Sequence, residues 1–163
     1  MPHPLRTPIR STAAALCALL MSVGLAAVVA APAPAKTFPP NFTVTAEHPT
    51  LADLNDIVEF IVETPASDEA KAANVEGGMS AVVVPRTVYQ LGLFRAPRGW
   101  NDVTGPLVQR GNSVTATLNS GSAGRPTIRM TIEFKRLGGN WKLAASSMCQ
   151  GVKAVGLNIY CNS

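Results

Sequence analysis

Ser146, Ser147 and Cys149 put two hydroxyls and a thiol within four residues, a density of nucleophiles that suits acyl transfer. Such groups attack only when a base takes their proton, and no histidine lies near them in the sequence. His48 follows a proline-rich stretch and is expected in solvent; with no other histidine beyond the first residues, a metal site is not expected either. Acid–base chemistry would need a carboxylate held away from water. Glu133 sits between Ile132 and Phe134 on the charged phase of its segment and should point outward, and Asp102 falls in a glycine- and proline-flanked loop. The other acids lie mostly on helix faces, and Tyr89 reads as a core residue with a satisfied hydroxyl. The residues therefore give no catalytic constellation, and they call for no cofactor.

The remaining reactive pair is Cys149 and Cys161. Met1 to Arg10 carries Arg6 and Arg10 without an acid, an apolar run follows from Ala13 to Ala31, and small residues crowd Ala30 to Ala35. That is the n-region, h-region and cleavage site of a secretory signal over residues 1–35, with cleavage expected between Ala30 and Ala35 and no stable membrane span afterwards. Cys17 leaves with the signal. The two remaining cysteines are an even pair in an oxidising compartment, where a disulfide is the expectation and two separate buried thiols the alternative. Cleavage also lowers the formal net charge from +4 to +2 by removing Arg6 and Arg10. The mature chain is uneven: acids crowd Glu47 to Glu76, and bases dominate from Arg86 onward. An acidic helical layer attracted to a basic sheet accounts for this, and the absence of a dense basic run argues against nucleic acid as a partner.

Residues 36–48 complete a proline-rich stretch, APAPAKTFPP, that is expected to be an extended, flexible tether, and residues 49–163 to form one domain. Thr50 with Asp53 resembles a capping box, and Leu51, Leu54, Ile57, Val58, Ile61 and Val62 recur at helical spacing, predicting a helix to about Thr64. Ser67 caps a second short helix that Gly77 and Gly78 end. Ala81 to Val84 reads as a strand or as the approach to a third helix opened by Pro85; the helix is preferred. Gly92, Pro97 and Gly99 predict a loop carrying Trp100. A short strand near Leu107 is followed by period-two alternation at Val114 to Leu118 and Ile128 to Lys135, and Gly138-Gly139-Asn140 turns into Trp141 and Leu143, with Ala145 continuing the inward phase. The fold class is α+β: two or three N-terminal helices on one face of a bent antiparallel sheet of three or four strands.

The capped acidic helix, the V-E-G-G turn at Val75 to Gly78, the alternating strands, the G-G-x-W-x-L hairpin at Gly138 to Leu143 and the terminal S-x-C-Q and G-L-x-x-x-C elements follow one another in an order that resembles the mycobacterial low-molecular-weight secreted antigen family. The resemblance runs from about Pro49 to Cys161. It implies an exported actinobacterial protein with a cystatin-like or nuclear-transport-factor-like cone, and it transfers no catalytic residues. The expected function is a secreted or cell-envelope binding or interaction module of unknown partner, an envelope or host component being the class in view. The alternative is a carrier or enzyme with an apolar pocket lined by Ile128, Met130, Ile132, Phe134 and Trp141. The opposite sheet face, with Thr115, Thr117, Arg129, Thr131, Lys135 and Lys142, is either simply solvated or a surface for an anionic glycan or lipid head group.

Overall fold

A chain with apolar residues at helical spacing in its first half and at alternating positions in its second must bury a helix stripe against a sheet face. The structure, a computed structural model, describes residues 36–159 and Cys161; the expected signal and cleavage site lie outside the described residues. The order of elements is α1 (Leu51–Glu63), α2 (Asp68–Ala72), a 3-10 turn (Gly78–Ser80), α3 (Val83–Leu91), β1 (Gly99–Arg110), β2 (Ser113–Ser122), β3 (Ile128–Leu137), β4 (Asn140–Leu143) and α4 (Ala145–Ala154). The strands form one open antiparallel sheet in the order β1-β2-β3-β4. Among the described residues no helix is long and apolar enough to cross a membrane.

Helix α1 starts where the capping box predicts. Asp53 N–H donates to Thr50 Oγ1 at 3.1 Å, and Thr50 N–H donates to the Asp53 carboxylate at 2.8 Å, so orphan donors of the first turn are met reciprocally. It ends at Thr64, held extended because the α conformation before Pro65 is sterically disfavoured. Leu54, Ile57, Val58, Phe60 and Ile61 form its buried stripe. Helix α3 opens at Val83, two residues before Pro85, which still lies in the first turn where a missing N–H costs nothing. The β3–β4 hairpin turns on Gly138 and Gly139, both at positive φ, as a two-residue turn demands.

Three expectations need correction. Residues 36–48 are not a loose tether: the Phe38, Phe42 and Phe60 rings pack with centroids 5.0 to 5.6 Å apart, and Val44 is buried. Trp141 N–H donates to Val44 O at 2.9 Å, and its indole N–H donates to Ala46 O at 2.7 Å. Apolar burial of the two phenyl rings outweighs the extended bias of Pro39 and Pro40, which stay exposed. Trp100 lies in a strand rather than a loop, because β1 runs the full 12 residues from Gly99 and absorbs Pro106 at a register shift between Thr104 and Val108. The shift falls on a strand edge, where a residue without an N–H breaks no ladder. Finally, Ala145 does not extend β4. It begins a helix, since Glu76 receives its N–H at 2.9 Å and Met148 N–H closes on Ala144 O.

The core lies between α1, α3, α4 and the inner sheet face. Trp141, Phe60, Phe134, Leu54, Ile57, Ile61 and Ile132 are its largest buried apolar side chains. Strand β4 is covered along its outer side: Leu143 N–H donates to Asn74 O and Glu76 N–H donates to Leu143 O, while Val44 takes the next position. Strand β1 is the other edge, where Val103 N–H donates to Asn55 Oδ1 of α1 at 2.9 Å.

Candidate functional site

The inner face of the sheet and the three packed helices enclose a small cleft. Val58, Ile61 and Val62 of α1, Val84, Pro85 and Val88 of α3, Met148 and Val152 of α4, and Leu118, Ile128 and Ile132 of the sheet give it an almost wholly apolar wall around about 70 Å³. Of the five side chains expected to line such a space, Ile128 and Ile132 do so. Phe134 and Trp141 share their face but are sealed in the core further along the strands, and half-buried Met130 faces Gly151 of α4. At that end the N-terminal segment is bound to Trp141, whose two N–H groups donate to Val44 O and Ala46 O.

Three polar side chains meet the cleft, and each is already engaged. Asn101 Nδ2 donates to Phe94 O at 2.7 Å and to Glu63 Oε1 at 2.9 Å, while Ser120 Oγ donates to Asn101 Oδ1 at 2.7 Å. Ser147 Oγ accepts from Glu133 N–H at 2.9 Å, continuing the sheet ladder beyond β4. Burial pushes the Glu63 carboxyl above the usual range, against the lowering effect of the Asn101 amide. Sequence reading missed Asn101 and Glu63 as neighbours. Once Gly99–Arg110 is a strand, Asn101 and Val103 share inward parity, but that signal is invisible while the segment reads as a loop.

The expected nucleophiles are dispersed by the helix. Ser146 is exposed, Ser147 is tied to the backbone, and Cys149 forms a disulfide with Cys161 at a Cα separation of 5.5 Å. His48 is exposed with Nδ1 3.1 Å from Gln109 Oε1. Glu133 is on the outer face, accepting from Ser113 Oγ at 2.5 Å. Among the described residues no group of three His, Cys, Asp or Glu side chains is placed to hold a metal ion.

Lys71 was not foreseen at all. It is 2% exposed, and its ammonium donates to Ile61 O at 2.7 Å and Thr64 O at 2.9 Å, capping the carbonyl end of α1 where positive charge is favoured. The Tyr89 ring centroid lies 4.5 Å from it, with Arg95 at 4.4 Å from the same centroid. Burial lowers the Lys71 pKa to about 8; Asp68 opposes this shift and Arg95 adds to it. Elsewhere Glu76 bridges Lys135 and the first N–H of α4, which holds its carboxyl below the usual range.

The outer sheet face is different in kind, with side chains that present themselves to solvent. Trp100, 48% exposed, stands opposite Gly121; Asp102, Asn119 and Arg129 are in register in the next row; Thr104, Thr117 and Thr131 form the row after it.

Helices on one face of a four-stranded antiparallel meander, with a stapled C-terminal helix, define a small α+β domain of the antigen type that the motif order suggested. A family model described as low molecular weight antigen MTB12, C-terminal domain, matches residues 47–159, and the chain belongs to that family. No curated protein matches the sequence.

Proposed function

We propose that this protein is exported and works outside the cytoplasm, or in the cell envelope, as a binding module without catalytic activity. The observation that carries the reading is the state of the inner polar groups: Asn101, Ser120 and Ser147, the polar side chains at the cleft, are engaged in hydrogen bonds that hold the fold together. A catalytic site keeps such groups directed at substrate. The antigen family, the signal-like N-terminus and the disulfide all agree with an oxidising, extracytoplasmic setting. The helix-covered meander supports reading the fold as a cystatin-like or nuclear-transport-factor-like cone.

Two measurements test this. Fractionation of cells making the tagged chain should place the processed protein in medium or envelope, and retention in the cytosol would reject export. Purified protein should turn over ester, amide and glycoside reporters no faster than its Ser147→Ala and Asn101→Asp variants; activity removed by either change would reject the non-catalytic reading.

The apolar cleft supports a second reading as a carrier. At about 70 Å³ it is well below the roughly 300 Å³ at which ligand sites begin, so it suits a methyl or short alkyl end rather than a whole lipid. Displacement of an environment-sensitive dye by short alkanes or fatty acids, lost in Val88→Phe, would favour the carrier.

A further inference from the structure

The outer sheet face carries one feature that the fold does not explain. An aromatic side chain of indole size on a strand is normally buried, yet Trp100 leaves 48% of its surface in water. It is also held in place. Its backbone is paired with Gly121, its carbonyl accepts from Ser120 Oγ at 3.2 Å, and the indole lies against the glycine so closely that a Cβ added there would sit 2.6 Å from Nε1 and 2.9 Å from Cε2. Gly121 is thus a seat for the ring, and the indole keeps an exposed surface at little cost in conformational entropy.

The next row supplies the polar complement. Asp102, Asn119 and Arg129 lie side by side on three adjacent strands, about 5 Å apart across the sheet, in a row whose backbone is about 7 Å from that of Trp100. The Asn119 amide donates to Thr104 Oγ1 at 2.9 Å, which leaves its carbonyl oxygen as the group it offers at the rim. Ion pairs among the described residues join Lys36 to Asp56, Arg86 to Asp68 and Lys135 to Glu76, so neither Asp102 nor Arg129 is neutralised in this way. A planar apolar platform bordered by a carboxylate, an amide and a guanidinium matches one chemistry closely. A pyranose ring presents a face of C–H bonds that packs on an aromatic ring, and equatorial hydroxyls that both donate and accept at its rim.

We propose that Trp100, Asp102, Asn119 and Arg129 form a binding site for a neutral pyranose glycan. Asp102 selects neutral sugars, since an acidic residue stacked on the indole would bring its carboxylate against that of Asp102. The site rests on the binding-module reading and names its ligand class.

The test uses the exported protein with neutral hexasaccharides of glucopyranose, mannopyranose or galactopyranose, and a hexauronide as the acidic control. Trp141 is fully buried, so a blue shift of tryptophan emission on titration reports on Trp100. At least one neutral hexasaccharide should produce the shift, and Trp100→Ala should weaken its binding, followed by calorimetry, about tenfold or more. Gly121→Ala, which must displace the indole, should weaken it in the same direction; Arg129→Ala serves where that variant fails to fold. The proposal is overturned if no neutral hexasaccharide binds, if binding is indifferent to Trp100→Ala, if the hexauronide binds more tightly, or if sedimentation shows Trp100 buried in a dimer that Trp100→Ala dissolves. Any of these leaves the binding-module reading standing, whereas reporter turnover abolished by Ser147→Ala or Asn101→Asp strikes that reading and not the sugar titration.

Discussion

Raising the pH should stabilise this protein through Lys71, a direction opposite to the usual expectation for a lysine that gains partners on folding. The side chain titrates near 8 in the folded state and at its ordinary 10.5 in the unfolded chain. Because the folded value is the lower one, the unfolded state binds more protons between these limits, and stability rises with pH across them. Integrating the difference in proton binding from pH 7 to pH 10 gives a gain of about 2 to 3 kcal/mol. The reference is Lys71→Met, which keeps the length of the stem and does not titrate. Urea unfolding of both proteins at each pH unit, followed by far-ultraviolet circular dichroism, gives the difference in unfolding free energy as a function of pH. That difference should climb towards the wild type by about 2 to 3 kcal/mol from pH 7 to pH 10. A flat difference curve would refute the reasoning: the ammonium would then be as well solvated by the Ile61 and Thr64 carbonyls and the Tyr89 ring as it is by water.

Glu63→Gln tests the complementary case: the raised Glu63 pKa makes a contribution present below its unfolded value and lost as pH rises through the folded one, so the variant should match or exceed wild-type stability at pH 7 while showing a weaker decline from acid to neutral, read from melting temperatures. Cys161→Ser opens a loop set by a sequence separation of 12 and should cost about 3 kcal/mol in the chain-entropy description; intact mass with and without reductant should differ by two hydrogens in the parent protein. Val152→Ile adds one methylene to the wall of the cleft and should stabilise the fold by up to about 1 kcal/mol in urea titrations. A loss of similar size would show that the space is not available to a side chain.

Much of the architecture is legible in local chemistry. The capping box at Thr50, the apolar stripe from Leu54 to Ile61, the alternation from Ile128 to Phe134 and the paired glycines at 138 and 139 each specify their own element, because each depends on neighbours in sequence. What escaped reading depends on distant partners. Phe38 and Phe42 look like part of a proline tether until Phe60 is brought against them, and Ala145 continues a strand pattern until Glu76 caps it as a helix. Lys71 gives no signal within its alanine-rich neighbourhood, since its burial follows from the way α2 folds back on the end of α1. The site was the least legible part. The inner apolar positions were identified by parity, but the exposed indole at Trp100 acquires meaning only from Gly121, 21 residues later on the neighbouring strand.

The covering of β4 on one side and the interruption of β1 on the other bear on how the molecule behaves in a crowd. A sheet with a flat open edge is a template on which identical chains can stack. Here one edge is occupied by the chain's own residues 74 to 76 and Val44, and the other carries Pro106 at a register shift that spoils the spacing a second strand would need. The same two devices that finish the fold therefore discourage edge-to-edge stacking of identical chains while leaving the sheet's outer face in solvent.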